Sequence, residues 1–512
     1  MNRCFQVLSW LCLTAILVCC LLALMFHGNV NFQTYAEDDT IFSFNSGFQI
    51  FALLLFLIFL ILLSIVIRNA GRNVTVAVTL LCTLTVFLFG CVWIETNTYP
   101  PIADQKKVWN AIVEFADHNY AMIDRSYFEQ YPFQGGIVVL FSAVLRILDT
   151  RSILIFRMFN VGAAGAIVAT MTWLSWELFG QYAVSLLTAV MMVMFAPIVL
   201  YTSFVYGTLL SFEFALLAFT VLFRYIRARK LWKLILISML MAVSNTIYSG
   251  SAIASIAIGF VLVLNGLMSL RTGDKKGFLS DILGAFVLGG IIAFFSNLCV
   301  LHFCSSVGIS AKGGIPSSAY ILMGITSNGT CGPGSYDTTN VYIYEISGRN
   351  NRAADREAWS RINYAVRDYI RGRRDWTFFI KKIRNEWTDP WFSAAVMTIY
   401  LSAKSLPITA SFSDFLSGPW MLNIQKFLIT FDEIIYLLAL VSMIDMMLKL
   451  RRLERIEVKQ WLLPVYFLGG FVFYLFWEAK PRYCFPYFVC LFPLAAYAAN
   501  RIAEALRMHK TR

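Results

Sequence analysis

Four groups of residues in this chain are of types that could do chemistry. The first is Asp104, in the polar stretch Thr96–Arg151, which also carries Glu114, Asp117, Asp124 and Glu129. A carboxylate a few residues beyond the end of a membrane helix can act as general base, taking the proton of a hydroxyl as its oxygen attacks. The plain alternative is a solvated loop acid, the commoner fate of a single acid in a loop. The second group is Glu478, Lys480 and Arg482, in the run Trp477-Glu478-Ala479-Lys480-Pro481-Arg482-Tyr483. Its cations either reach out to lipid headgroups or hold a phosphate, which a guanidinium grips through two hydrogen bonds. The third is Phe204-Val205-Tyr206-Gly207-Thr208, with Glu213 slightly deeper in the following apolar run. An ionisable side chain inside a membrane is costly and usually lines a cavity, unless it only pairs with a nearby Arg. Glu177, beside a short turn, reads as structural.

The elements that must position these residues belong to a membrane protein. Of 512 residues, 59% are hydrophobic and only 14% charged, with a mean hydropathy of +0.67. A soluble domain averages about 25% charged residues. Apolar runs of bilayer-crossing length are Phe5–Phe26, Gly47–Ile67, Val74–Ile94, Ile153–Trp176, Tyr182–Tyr201 and Gly207–Phe223. They continue with Leu231–Thr246, Ser251–Leu270, Ile282–His302, Lys426–Leu448, Trp461–Trp477 and Tyr483–Ala503. The spacing predicts an all-α integral membrane protein with about twelve crossings, of which Leu231–Thr246 is short. Phe5–Phe26 follows Arg3 as a signal peptide would. It is longer than a typical signal core and lacks a small-x-small cleavage site, so it is expected to be a retained helix.

The net charge of +12 does not point to nucleic acid, because the excess Lys and Arg gathers in short loops on one side. These are Arg68 and Arg72; Arg224, Arg227, Arg229, Lys230 and Lys233; and Arg271, Lys275 and Lys276. Lys449, Arg451, Arg452, Arg455 and Lys459 follow, then Arg507, Lys510 and Arg512. By the positive-inside bias that side is the cytoplasm. Both termini are then cytoplasmic, and Thr96–Arg151 and Ser305–Gln425 face outward from the plasma membrane. Ten of the eleven cysteines lie within or at the end of apolar runs and only Cys331 lies well inside a polar loop. With no CxxC and four His, neither a disulfide framework nor a zinc cluster is expected.

Within the first outer segment, Val108, Ala111, Ile112 and Phe115 repeat at helical spacing opposite Lys107, Asn110, Glu114 and Asp117. That pattern predicts a helix along the membrane surface. Gly136–Leu148 is apolar but too short to cross. The second outer segment opens with the turn-forming Gly324-Ile325-Thr326-Ser327-Asn328-Gly329 and Cys331-Gly332-Pro333-Gly334. It continues into an amphipathic helix with Trp376, Phe379, Ile380 and Ile383 on one side and Lys381, Lys382 and Arg384 on other faces. No internal repeat is visible.

The order of these features carries a resemblance. An outward acidic loop with Asp104 precedes Tyr127-Phe128-Glu129-Gln130-Tyr131-Pro132-Phe133-Gln134-Gly135-Gly136. Arg157 then starts a crossing that ends in Glu177-Leu178-Phe179-Gly180, and Glu478-Ala479-Lys480-Pro481-Arg482-Tyr483 lies near the C-terminus. From about Val74 onward the chain is similar to the GT-C superfamily of glycosyltransferases that use polyprenyl-phosphate sugars. It most resembles the bacterial relatives of protein O-mannosyltransferases and the aminoarabinose transferase. The resemblance implies a GT-C-like helix bundle with outward amphipathic loop helices. Residues 1–73 would be two additional N-terminal crossings, and residues 74–304 a core carrying the acidic loop 96–151. Residues 305–425 would form the long outer loop, and residues 426–512 the C-terminal crossings.

It also implies an outward active site that inverts the sugar in one displacement, with Asp104 as the essential acid and the lipid phosphate leaving. Arg482 and Lys480 would bind that phosphate, and Glu478, Tyr131, Gln134, Tyr206 and Glu213 would contact substrate. Partners would be the lipid-linked donor, membrane lipids and a cell-wall glycan, lipid-linked glycan or protein acceptor. Many relatives carry an acid at the start of the crossing after the Tyr206 region. Here Gly207-Thr208 stands there, with Glu213 the nearest acid. Asp104 is followed by Gln105 rather than a second acid, which favours a metal-independent enzyme without cofactor. The alternative class is a transporter or lipid-linked glycan flippase. Transporters place ionisable residues near mid-membrane and show repeated halves, whereas the charges here are expected to collect at the outer surface.

Overall fold

In the computed structural model the described residues are 2–30, 40–97, 99–327, 329, 331–400, 418–452, 454 and 456–510. Asn328 of the first turn segment, Arg455 and Arg512 of the basic clusters, and residues 401–417 of the second polar segment lie outside the described residues.

Helix α1 (Asn2–Met25) leads into an antiparallel hairpin of β1 (Phe26–Val30) and β2 (Thr40–Phe44), with Phe26 opposite Phe44. Helices α2 (Gly47–Ile67) and α3 (Arg72–Thr96) follow. The acidic stretch folds into α4 (Ala103–Ala116), α5 (Arg125–Gln130) and α6 (Gly135–Ile147). Next come α7 (Ile153–Phe179), α8 (Tyr182–Met194), the single turn α9 (Pro197–Leu200) and α10 (Thr208–Arg227). After these are α11 (Leu231–Ile247), α12 (Ala252–Arg271) and the 33-residue α13 (Lys275–Val307). The second polar segment holds α14 (Ser317–Ile325), α15 (Thr339–Ile346), α16 (Asn351–Ile370), α17 (Thr377–Trp387) and a π-helical turn, Val396–Tyr400. The chain continues through α18 (Pro419–Arg451), α19 (Leu462–Phe476), α20 (Pro481–Val489) and α21 (Phe492–Lys510).

Among the described residues nine helices are long and apolar enough to cross a membrane, eleven if each of two bent pairs is one crossing. Together with their exposed apolar surface they make this a multi-pass membrane protein. Large apolar side chains of α2, such as Phe48, Phe51, Leu55, Phe59 and Leu62, stand exposed. On a helix of this length and hydropathy such a face suits contact with lipid. One bend, of 59°, separates α8 from Pro197–Ser203; the other, of 45°, separates α20 from Phe492–Met508. Each distal half carries a proline at its start, Pro197 and Pro493. A proline has no N–H for the ladder, and its ring crowds the carbonyl four residues back. The expected Tyr182–Tyr201 crossing is therefore broken. The expected last crossing begins at Pro481 rather than Tyr483, which makes Lys480 and Arg482 part of a helix start.

The main core runs through the bundle, and α1 contributes Cys12, Ile16 and Cys19 to it. A smaller apolar cluster, with Leu322, Ile343, Ala354, Ala358 and Ile362, holds α14, α15 and α16 together. Three expectations are corrected by this packing. The apolar face of α4 is buried, with α4 packed on α6, so it faces protein rather than membrane. Lys382, expected on a face of α17 other than the apolar one, is the side chain that is fully buried, while Trp376 and Ile380 of the apolar side are exposed. The charges do not all collect at one surface either: Glu213 in α10 and Asp432 and Glu433 in α18 are buried within spans.

Candidate functional site

The chain around Asp104 is held from below by side chains of the spanning helices. Trp93, one turn before the end of α3, donates its indole N–H to Leu200 O and Ser203 Oγ, both at 3.1 Å. Asn97 donates to Ser203 Oγ at 3.2 Å and to Thr398 O at 2.8 Å. Arg157, in the second turn of α7, donates to Asn97 O at 2.7 Å and also to Tyr99 O. Asn160, one turn on, donates to Thr202 O at 3.2 Å and Phe204 O at 2.9 Å. Irregular backbone at membrane depth is stable only when its carbonyls find donors. These four side chains supply them to the strands of chain that flank the site.

Asp104 is exposed and lies in the first turn of α4, where the positive end of the helix dipole favours a carboxylate. Ala103 before it has φ of 47°, a left-handed conformation that L-residues with a Cβ rarely adopt. Gln105 after it is buried and makes two hydrogen bonds. Its Oε1 accepts from Val205 N at 3.0 Å and its Nε2 donates to Met397 O at 3.2 Å. The residue that replaces a second acid is thus a strut fixing the start of α4.

Asp104 lines a cavity of about 250 Å³ with Tyr131 and Gln134 from the α5–α6 connection, Tyr206 from the turn before α10, and Glu478, Lys480 and Arg482. All of these residues are site candidates on sequence grounds as well. Glu213 does not line this cavity; it is buried in α10, where its Oε1 accepts from Thr170 Oγ1 at 2.8 Å. Glu177 pairs with Arg227 at 2.8 Å. The cavity is also lined by Tyr320, Tyr336 and Asn340 from the second polar segment, which no sequence signal singled out. The only local signal there was the glycine-rich turn Gly332-Pro333-Gly334 beside Tyr336.

Backbone bonds tie the second polar segment both to the stretch Glu478–Ala479 and to the first polar segment. Glu478 N donates to Tyr320 O at 3.1 Å, Ala479 N to Gly334 O at 3.0 Å, and Ile315 N to Gln130 O at 3.0 Å. Arg349 adds an ion pair to Glu129 at 3.8 Å. Behind Glu478, Lys382 Nζ donates to Gly324 O and Trp477 O, each at 2.7 Å, and to Leu475 O at 3.3 Å. One buried cation thereby satisfies the C-terminal carbonyls of both α14 and α19, where the dipole favours positive charge. Burial pulls its ammonium below the ordinary range and pushes the carboxyl of Glu386, 3.7 Å away, well above its own. Gly334 has φ of 74°, and a Cβ there would come within 2.5 Å of the Lys382 side chain.

Two acids and two cations therefore share this cavity with a wall of tyrosines. Arg482 lies over the ring of Tyr483, 5.0 Å from its centroid, and donates to Met397 Sδ at 3.1 Å. Lys480 Nζ lies 5.6 Å from the centroid of Tyr336. Burial holds the phenols of Tyr127, Tyr131, Tyr206, Tyr320 and Tyr336 above their ordinary range, so each keeps its O–H as a donor. Gln134 donates to the Tyr206 hydroxyl. A second cavity of about 380 Å³ shares Gln134, Tyr206, Tyr320, Glu478 and Tyr483 with the first and adds Tyr248, Phe473, Tyr474 and Trp477. Tyr320 and Trp477 stack there at 5.2 Å. The pair offers a charged chamber beside an aromatic one. Among the described residues no group of three or more His, Cys, Asp or Glu is disposed to hold a metal ion. The chain matches no model of a known protein family, and no curated protein is significantly similar to it.

Proposed function

We propose that this protein is a membrane glycosyltransferase of GT-C type, moving a sugar from a polyprenyl phosphate to an acceptor of the cell envelope at the outer face of the plasma membrane. The observation that carries the reading is the meeting of Asp104 with Lys480 and Arg482 in one tyrosine-lined cavity. In the proposed step the acceptor hydroxyl oxygen forms a bond to the anomeric carbon from the side opposite the lipid phosphate. The bond from that carbon to the phosphate oxygen breaks, inverting the centre. The hydroxyl proton passes to the Asp104 carboxylate. The negative charge that grows on the leaving phosphate is met by Lys480 and Arg482, an electrostatic contribution typically worth about 3 kcal/mol for each donor removed. Glu478, Tyr131, Gln134 and Tyr206 orient the sugar, and the aromatic chamber takes the first apolar units of the carrier. No metal or cofactor enters this step. Twelve crossings belong to the same proposal, with α11 counted as one because it packs against α10 and α13, both spans. Both termini are then cytoplasmic.

The test is Asp104→Asn, reconstituted with the lipid-linked donor supplied by the cell's own membranes. Turnover should fall by about 10²–10⁴, the usual contribution of a general base, with unchanged yield of inserted protein. Wild-type turnover would remove Asp104 from the mechanism. A transporter or flippase is the second reading, favoured by Glu213 and Asp432, which are buried inside spans. It predicts that Glu213→Gln and Asp432→Asn abolish activity while Asp104→Asn does not.

A further inference from the structure

The end of α3 remote from the candidate site encloses a groove with α7 and α8, of about 670 Å³, that sugar transfer does not use. Arg72, the first residue of α3, lines it and is exposed. It is the one charged residue among those lining the groove, and among the described residues it makes no ion pair. Trp173, Trp176 and Tyr182 border the groove, residue types that settle at headgroup depth. Val76 and Leu80, one and two turns deeper along α3, give it an apolar wall.

The charges around it are one-sided. Arg224 lies over the Trp173 ring, 4.2 Å from its centroid, which adds positive charge at the rim and covers an aromatic face a quaternary ammonium would need. Glu177, which accepts from the Trp173 indole N–H at 3.2 Å, is paired with Arg227 at 2.8 Å. Gly71 caps α3 without a side-chain bond, so the first amides of the helix remain donors for an anion. A zwitterionic headgroup would bring a cation beside a carboxylate, Glu177, that Arg227 already pairs, whereas a net negative headgroup meets Arg72, Arg224 and the helix start.

We propose that this groove binds one anionic glycerophospholipid, its phosphate at Arg72 and an acyl chain along Val76 and Leu80. Basic pockets between membrane helices recognise such headgroups. The inference is independent of the transferase reading. The test is native mass spectrometry of the full chain released from nanodiscs of mixed phosphatidylglycerol and phosphatidylcholine. Wild type should retain one phosphatidylglycerol more than Arg72→Gln, whose apparent affinity falls roughly tenfold, the scale of one charge-assisted contact. Arg271→Gln, exposed at the end of α12, controls for general charge loss and should behave as wild type. Equal retention by Arg72→Gln, or equal retention of phosphatidylcholine, would overturn the proposal. Displacement of the lipid by millimolar inorganic phosphate would overturn it too, in favour of a soluble phosphate ligand.

Discussion

At the scale of single residues the site depends on side chains that do no chemistry. Gln105 sets where α4 begins by joining Val205 to Met397, and Ala103 holds a backbone conformation that costs about 1–3 kcal/mol. Between them Asp104 is held at the mouth of the cavity rather than left on a free loop. Arg482 approaches the same space from the start of α20. In the proposed reaction its substitution by Ala would remove a charge-assisted contact to the donor phosphate, so affinity for the polyprenyl-phosphate sugar should fall roughly tenfold to a hundredfold. Equilibrium binding of the donor to purified protein checks this, and unchanged affinity would exclude Arg482 from the phosphate site. Asp104, Lys480 and Arg482 were legible in the sequence because charge is scarce in this chain and theirs falls at the ends of apolar runs. Tyr320, Tyr336 and Asn340 were not, since nothing local distinguishes them from other polar and aromatic residues of a long loop.

At the scale of elements, Lys382 anchors the start of the segment from Trp477 to Arg482 through the Trp477 carbonyl. With its three carbonyl partners and Glu386 all buried, Lys382→Met leaves several polar groups unsatisfied and one carboxyl without a counter-charge. Removal of one partner from a buried pair typically costs about 3–5 kcal/mol. The thermal midpoint of the purified variant should drop clearly, and Glu386→Gln in the same chain should recover part of the loss. An unchanged midpoint would show that the contacts of Lys382 carry no load. The periodic apolar pattern of α4 was readable as a helix from the sequence, but its environment was not. Protein and lipid are equally apolar neighbours, and only the fold puts α6 rather than lipid against that face.

For the whole molecule the issue is sidedness. The proposed topology sets α16 outside and the α12–α13 turn inside. A membrane-impermeant thiol reagent added to intact cells should label Arg352→Cys above the wild-type background, and should leave Lys275→Cys at that background until the membrane is permeabilised. Both positions are exposed. Reversed labelling would put the Asp104 cavity on the cytoplasmic side and end the case for an outward transferase.

The sequence by itself determined that this chain lives in a membrane as a bundle of helices, because apolar length and scarcity of charge are local properties that accumulate along the chain. It also marked the turns, although not that the prolines at 197 and 493 would bend their crossings. Only the tertiary structure decided which polar residues meet. Asp104 and Arg482 share a cavity across most of the length of the chain, while Glu213, much nearer to Asp104 in sequence, is turned into the bundle toward Thr170. Such juxtapositions depend on how helices pack and how the second polar segment folds back, and a helix can carry the same residues with its polar face turned either way.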